Sequence, residues 1–574
     1  MFESSDQWIK EKIKGISRRS RVTFTATFAA GLLAHMYMLA NKLPNYDELT
    51  FGTEGIGVTV SSGRWGLEVL HQLSTLLVGG SYSLPWFSGL LAIVFMALAA
   101  CYVVKFLDIR QDVLCVLTGS LLVVFPAFTC AMFFMFTARY YAFALFVLAW
   151  GLYQSDRLLE MADRERKKEI NGWGKFLFLG LASGIGCIMA SASIFQAYYP
   201  FAAGLCVIKL IQMCLREDAG QYGKVFRKAW IYLGILAAGV ALYIVSAKIA
   251  ASLAGEALSG YRGMNNMGVI RAEQIPWMVK EVYKSVLLLF TGDFYQVNPT
   301  VLLRILLAAS CVATVVLAAT QMLPGCRKKE GLLMTGELAV LTLILPFCMN
   351  GIIVMQPDSW FYTLMEYGVI VAFLCPLAVL SVVLEKNCAK GMAEDRETLE
   401  ETAAADTAAA GRVSYRRIHQ VADVVITFSL LACVGIYIWF DNGNYVTMDF
   451  AYRSAESYFT SMLTQVRMTE GYTDETPVYV LGWDSEIADE SFAANPELDV
   501  FHMAGKNNSL VRAWNWYAFL ETYLNYRQFD WDEAQINALW SSPEAEAMPC
   551  YPDEGSIARL GDGIVIKISE YPGE

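Results

Sequence analysis

Between residues 22 and 440 the chain alternates long apolar runs with short polar connections. Runs near 22–40, 84–104, 113–133, 138–154, 175–192, 194–215, 229–250, 300–322, 332–355, 360–384 and 420–440 each approach the roughly 20 apolar residues a helix needs to cross a bilayer. About eleven spans are therefore expected. Two further helical patterns, 62–78 and 276–290, lie in polar connections and are expected along the membrane surface. After Asn442 the pattern changes. Residues 449–468 keep helical spacing, Pro477–Gly482 reads as a buried strand, and Gly561-Asp562-Gly563 followed by Ile564–Ile568 reads as a hairpin leading into a strand.

The expected architecture is an all-α polytopic membrane protein carrying a small C-terminal extracytoplasmic α/β domain. The division is 1–21 cytoplasmic and amphipathic, 22–440 membrane-embedded, and 441–574 outside, with 386–415 a polar cytoplasmic loop inside the second part. Composition agrees: of 574 residues 56% are hydrophobic and 17% charged, with a mean hydropathy of +0.40.

Lys and Arg set the orientation, because cytoplasmic loops are enriched in them near span ends. They cluster at 10–21, at 157–175, at 216–228, at 327–329 and at 412–417, in every second connection. The N-terminus is thus expected inside, and the 41–83 loop, the 251–299 loop and the C-terminal region outside. The acids and basic residues before the first run, with no small-residue cleavage site behind it, read as an anchor rather than a cleavable signal peptide. From residue 441 onward 23 acids face 7 basic residues, which disfavours nucleic acid as a partner.

Most familiar chemistries find no support. Twelve of 13 cysteines sit in or beside the spans, so no disulfide framework fits the outer region. Four histidines without a CxxC pair argue against a zinc site, and no phosphate-binding glycine loop or GxSxG elbow is found. What stands out is the first outer loop, where Asn45-Tyr46-Asp47-Glu48 precedes Ser62-Gly63-Arg64-Trp65-Gly66-Leu67-Glu68. Asp47 and Glu48 follow Pro44 just beyond a span, so a carboxylate there has access to the proton of an attacking hydroxyl. Solvated loop acids are the plain alternative. Arg64, Glu68 and His71 share one face if 62–78 is helical, and Arg64 then grips an anion or simply pairs with Glu68. Arg139 either supplies a second cation or snorkels at a helix boundary. Arg262 lies in the longer outer loop, and Glu366 falls within a span as structural glue or a site residue.

The order of the acidic first loop, Gly63-Arg64-Trp65-Gly66, Ala138-Arg139-Tyr140-Tyr141-Ala142-Phe143-Ala144, Ser193-Ile194-Phe195-Gln196-Ala197-Tyr198-Tyr199, Gly260–Gly268 and Phe361-Tyr362-Thr363-Leu364-Met365 resembles the bacterial GtrII-like glucosyltransferases over most of residues 20–440. That resemblance implies a GT-C-like glycosyltransferase that uses a polyprenyl-phosphate sugar, typically glucose, as donor to a cell-surface glycan in the bacterial cytoplasmic membrane. It implies Asp47 or Glu48 as catalytic base and Arg64, Arg139 and Arg262 as donor-phosphate contacts. Trp65, Glu68, His71, Tyr140, Gln196 and Tyr198 are the candidate substrate contacts. Family members often carry two aspartates where this chain has Asp47 and Glu48, so which acid acts is open. No cofactor is certain and a divalent cation is possible. A flippase for lipid-linked sugars and a surface-polysaccharide polymerase are the competing functions.

Overall fold

The computed structural model describes residues 15–51, 59–80, 83–168, 172–292, 294, 296–355, 361–397, 406–482, 501, 510–511 and 515–570, with the side chains of 51, 219, 261–263, 389–397 and 406–415 left aside. In chain order the helices are α1 (Arg18–Ala40), α2 (Tyr46–Phe51), α3 (Trp65–Val78), α4 (Pro85–Phe106), α5 (Asp112–Val124), α6 (Pro126–Phe133), α7 (Met135–Lys167), α8 (Trp173–Ile194), α9 (Tyr199–Arg216) and α10 (Tyr222–Leu253). They continue with α11 (Ile275–Thr291), α12 (Val301–Met322), α13 (Lys329–Met349), α14 (Gly351–Met355), α15 (Val371–Glu397), α16 (Asp406–Met468), α17 (Trp516–Tyr523), α18 (Glu533–Trp540) and α19 (Pro543–Glu546). Among the described residues ten helices are long and apolar enough to cross a membrane, and eleven result when the bent pair α5–α6 counts as one span. The expected surface helices are α3 and α11. The expected N-terminal amphipathic segment falls largely outside the described residues.

The bend between α5 and α6 is 40° and has a local cause. Pro126 has no N–H to give to the carbonyl of Leu122, four residues before it, and the turn there opens. Side chains from distant helices take over: Tyr367 donates to the Leu122 carbonyl at 2.8 Å, and His35 Nε2 meets the Val123 carbonyl at 2.8 Å. Since a carbonyl only accepts, Nε2 carries the proton, and Nδ1 accepts from the Tyr445 hydroxyl at 2.8 Å. Each replaced bond contributes about 1 kcal/mol net, and each left unmade would cost somewhat more.

At the Lys/Arg-rich end, positive charge is neutralised between helices. Asp108 lies in the α4–α5 turn and takes Arg19 at 2.9 Å, Arg110 at 2.8 Å and Arg216 at 3.2 Å; Glu385 on α15 pairs with Arg110 and Arg216 at 2.9 and 3.0 Å. Burial works against the Asp108 carboxylate, and the guanidiniums of Arg110, Arg19 and Arg216 outweigh it, holding its pKa below the ordinary value. Deeper in the same half, Asp156 on α7 pairs with Lys228 and Lys209 and accepts from Tyr232 at 2.7 Å. Taking such groups out of water is tolerated only because each carboxylate is multiply paired.

Beyond the spans a three-stranded sheet runs β1 (Val478–Leu481), β3 (Gly563–Lys567), β2 (Ile557–Leu560), with β1 parallel and β2 antiparallel to β3. Gly561, at φ +61°, opens the two-residue turn between β2 and β3. One feature departs from expectation. The last span and the helical stretch 449–468 form one unbroken helix, α16, so the boundary expected at 441 lies inside a rod. Gly443 does not break it; a Cβ there would run into the Phe501 ring, which marks a packing glycine.

A candidate active site at the acid-bearing end

The first outer loop begins with a capped helix. Asn45 is the N-cap of α2: its Oδ1 accepts from the Glu48 N–H at 2.9 Å, while its Nδ2 donates to the Phe133 carbonyl at 3.0 Å and so pins the turn to the end of α6. Glu48 is 4% exposed. Its Oε1 receives Lys42 Nζ at 2.5 Å and also the Ser83 hydroxyl, while Oε2 is buried and has no hydrogen-bond partner among the described residues. Asp47, next to it, is half-buried.

The Gly63-Arg64-Trp65-Gly66 motif is a tight turn followed by a helix start. Gly63 sits at φ +74°, and a Cβ there would come within 2.6 Å of both Met264 Cε and Tyr243 Oη. Gly66 packs on Ser193 so closely that a Cβ would overlap the hydroxyl. Gln196 Nε2 donates to the Ser62 carbonyl and to the Tyr243 hydroxyl, both at 2.8 Å, and Tyr243 donates to the Gly63 carbonyl at 3.2 Å. Trp65 Nε1 reaches Ser246 at 3.2 Å. Gln196 and Trp65 therefore hold the turn that presents Arg64. The guanidinium of Arg64 reaches the Tyr141 hydroxyl at 3.4 Å and lies 5.7 Å from the centroid of the Phe195 ring, which is stacked on Tyr141.

Arg64 is not on the helical face expected of it. It is the N-cap of α3, at φ −94° and ψ 44°, and Glu68 instead accepts from Thr59 at 2.7 Å and from Gln72 at 3.0 Å. His71 is half-buried, with Nδ1 lacking a hydrogen-bond partner. Arg139 does not snorkel: it is 5% exposed, donating to Ser88 at 2.8 Å, Tyr140 at 2.9 Å and Ser74 at 3.4 Å, with the guanidinium 4.7 Å from the Tyr140 ring centroid. Arg64 and Arg139 thus touch opposite ends of α3, about 15 Å apart along its axis. Glu48 and Arg139, by contrast, come together around the start of α4, one at Ser83 just before it and one at Ser88 in its first turn.

Tyr198 is 2% exposed and packs edge-on against Phe195 and Tyr367, a core position. The side chain of Arg262 lies outside the described residues. Its loop is tied to the Arg64 turn by the Ser259 N–H donating to the Ser61 carbonyl at 2.8 Å. Glu366, 1% exposed, lies between two short 3-10 segments ahead of α15, and among the described residues neither of its carboxylate oxygens has a hydrogen-bond partner. Among the described residues no three His, Cys, Asp or Glu side chains gather as a metal site.

Sequence reasoning missed Lys42, Ser83, Ser88, Tyr243 and Asn515. Only the Asn45 cap had a local signal, the Asn-x-x-Glu spacing of a helix start. The others are tertiary partners; Asn515 donates to the Tyr46 carbonyl at 2.7 Å from 469 positions away.

The family described as Glucosyl transferase GtrII matches residues 36–373, a stretch that includes the acid turn, Arg64, Arg139, Gln196 and Glu366. No curated protein and no solved structure matches the chain. Because the match covers more than half of the sequence, the chain belongs to the GtrII glucosyltransferase family.

Proposed function

We propose that this protein is a membrane glucosyltransferase that moves glucose from a polyprenyl-phosphate donor to a cell-surface glycan on the outer face of the bacterial cytoplasmic membrane. The observation that carries the reading is the meeting of the acid turn, through Glu48, with Arg139 around the start of α4, inside the family match and at the other end of the bundle from the Asp108 network. The Lys/Arg-rich connections support a cytoplasmic position for that opposite end. Outside there is no nucleotide-sugar supply, so the donor must arrive already activated on a lipid.

Asp47 takes the proton of the acceptor hydroxyl as its oxygen attacks the anomeric carbon. The bond from that carbon to the phosphate oxygen breaks, the electron pair leaves with the polyprenyl phosphate, and the configuration inverts. Glu48 is less suited to this role because its side chain is almost fully buried, whereas Asp47 is half-buried. Arg139, which meets the acid turn around the start of α4, holds the phosphate and meets the charge that grows on it, an arrangement worth most in a site that needs no reorganisation, while Arg64 lies at the far end of α3. Apolar side chains exposed on α3 (Leu73, Leu76, Leu77) and α11 (Trp277, Leu287) suit a helix pair resting in the lipid interface beside the donor's isoprenoid tail.

The test is transfer of labelled glucose from synthetic polyprenyl-phosphate glucose by the purified full chain in nanodiscs, beside Asp47→Asn. Wild-type transfer that falls by about 10²–10⁴-fold in the variant is expected, the range a positioned general base supplies. Full activity in Asp47→Asn would remove the base. Lipid movement across the bilayer without transfer would replace the reading with a flippase.

A further inference from the structure

The acid turn is held from two sides. On the spans' side, α16 grips the last turns of α1: Asn442 donates to the Leu33 carbonyl at 3.0 Å, and Asp449 accepts from the Tyr37 hydroxyl at 3.0 Å. Asn45 adds the bond to Phe133. On the other side stands the C-terminal region. Leu49 of α2 is 3% exposed because it is buried in the C-terminal core, among Phe459, Trp516, Phe519 and Leu520. Asn515, fully buried just before α17, donates Nδ2 to the Tyr46 carbonyl at 2.7 Å. Tyr523, at the end of α17, lies close enough to Glu48 for that carboxylate to help burial raise its phenol pKa.

We propose that Asn515 is a positioning residue for the transfer reaction, fixing the backbone of the Asn45–Glu48 turn so that the Asp47 carboxylate is held at the attacking hydroxyl, with Leu49 as the anchor that seats the turn in the C-terminal core. This rests on the assignment of Asp47 as base. The C-terminal region is then part of the catalytic apparatus rather than a cover over it. The physical basis is that Tyr46 and Leu49 bracket Asp47 within about one helical turn, so fixing both leaves its backbone little freedom to drift. A misplacement of about 1 Å in a positioned group costs on the order of 10²-fold in rate.

The experiment uses the full chain in nanodiscs with Asn515→Ala and Asn515→Asp. The second is nearly isosteric with Asn but offers an acceptor where the donor was. Transfer kcat and binding of polyprenyl-phosphate glucose are measured separately, with Asp47→Asn alongside. A loss of at least about tenfold in kcat with donor binding within about twofold of wild type is expected for both. Wild-type kcat in either variant overturns the proposal, and so does a parallel loss of kcat and donor binding, which would mark a merely structural residue. Full activity in Asp47→Asn would instead show that the base assignment has failed, whatever the Asn515 variants do.

Discussion

At the Lys/Arg-rich end, Asp108 and Glu385 bind Arg19, Arg110 and Arg216 into one network across four elements, charge against charge. At the acid-bearing end the described contacts that seat the site are mainly neutral donors and acceptors. Carboxamides of Asn45, Gln196 and Asn515 hold the backbone, hydroxyls of Ser74, Ser88 and Tyr140 hold Arg139, and a hydroxyl and a ring meet Arg64. Neutral hydrogen bonds fix geometry without depending on pH or on salt, whereas an ion network titrates and is screened. One end is therefore built to close the bundle and the other to keep an orientation.

Arg139 offers the sharpest way to break this contrast. Arg139→Met should lower transfer by about 10²-fold or more, and Arg139→Lys should not restore it, since one ammonium cannot reproduce a planar fork shared among three hydroxyls. Initial rates at saturating donor check this; equal rescue by Lys would reduce Arg139 to a simple positive charge. Asp108→Asn should act on stability alone. The Asp108 pKa is depressed in the folded protein, so its contribution is present above the ordinary carboxylate range and is lost as pH falls through its folded value. The variant should melt several degrees lower at neutral pH and lose that acid-side limb, while transfer per folded molecule stays unchanged. Thermal melts at several pH values and salt concentrations decide it. Tyr367→Phe, at the Pro126 bend between the two ends, should have the smallest effect, about 1–2 kcal/mol for leaving the Leu122 carbonyl without its donor. A denaturant series comparing it with His35→Phe would show whether the bend depends on both replacements.

The spans were legible because a bilayer imposes a length and an apolarity that few other environments demand, and the β2–β3 turn was legible because Gly561-Asp562 is its own signal. The change of pattern at 441 does not end the helix: Asp441 accepts from Thr129 at 2.8 Å and Gly443 makes room for Phe501, and α16 runs through both. The residue types of the site were visible and their partners were not. Arg64 and Glu68 carry the spacing of a helical pair, but Gly63 turns the chain so that Arg64 falls outside the helix. Glu48 and Asp47 look equivalent in sequence; the fold distinguishes them by burying Glu48 against Lys42 and Ser83 while leaving Asp47 half-buried.

At 63 residues, α16 contains about 95 Å of helix, roughly three times the hydrocarbon thickness of a bilayer. The C-terminal core stands on this rod, and the same core seats Leu49. The helix is thus a ruler as well as a support: each residue between the span and the core sets 1.5 Å of height and 100° of rotation. Adding one residue after Met448 would turn the core away from α2, while adding seven would nearly restore its direction but lift it by about 10 Å. The chemistry proposed for the acid-bearing end is consequently tied to a residue count in a helix to which that proposal assigns no reacting group.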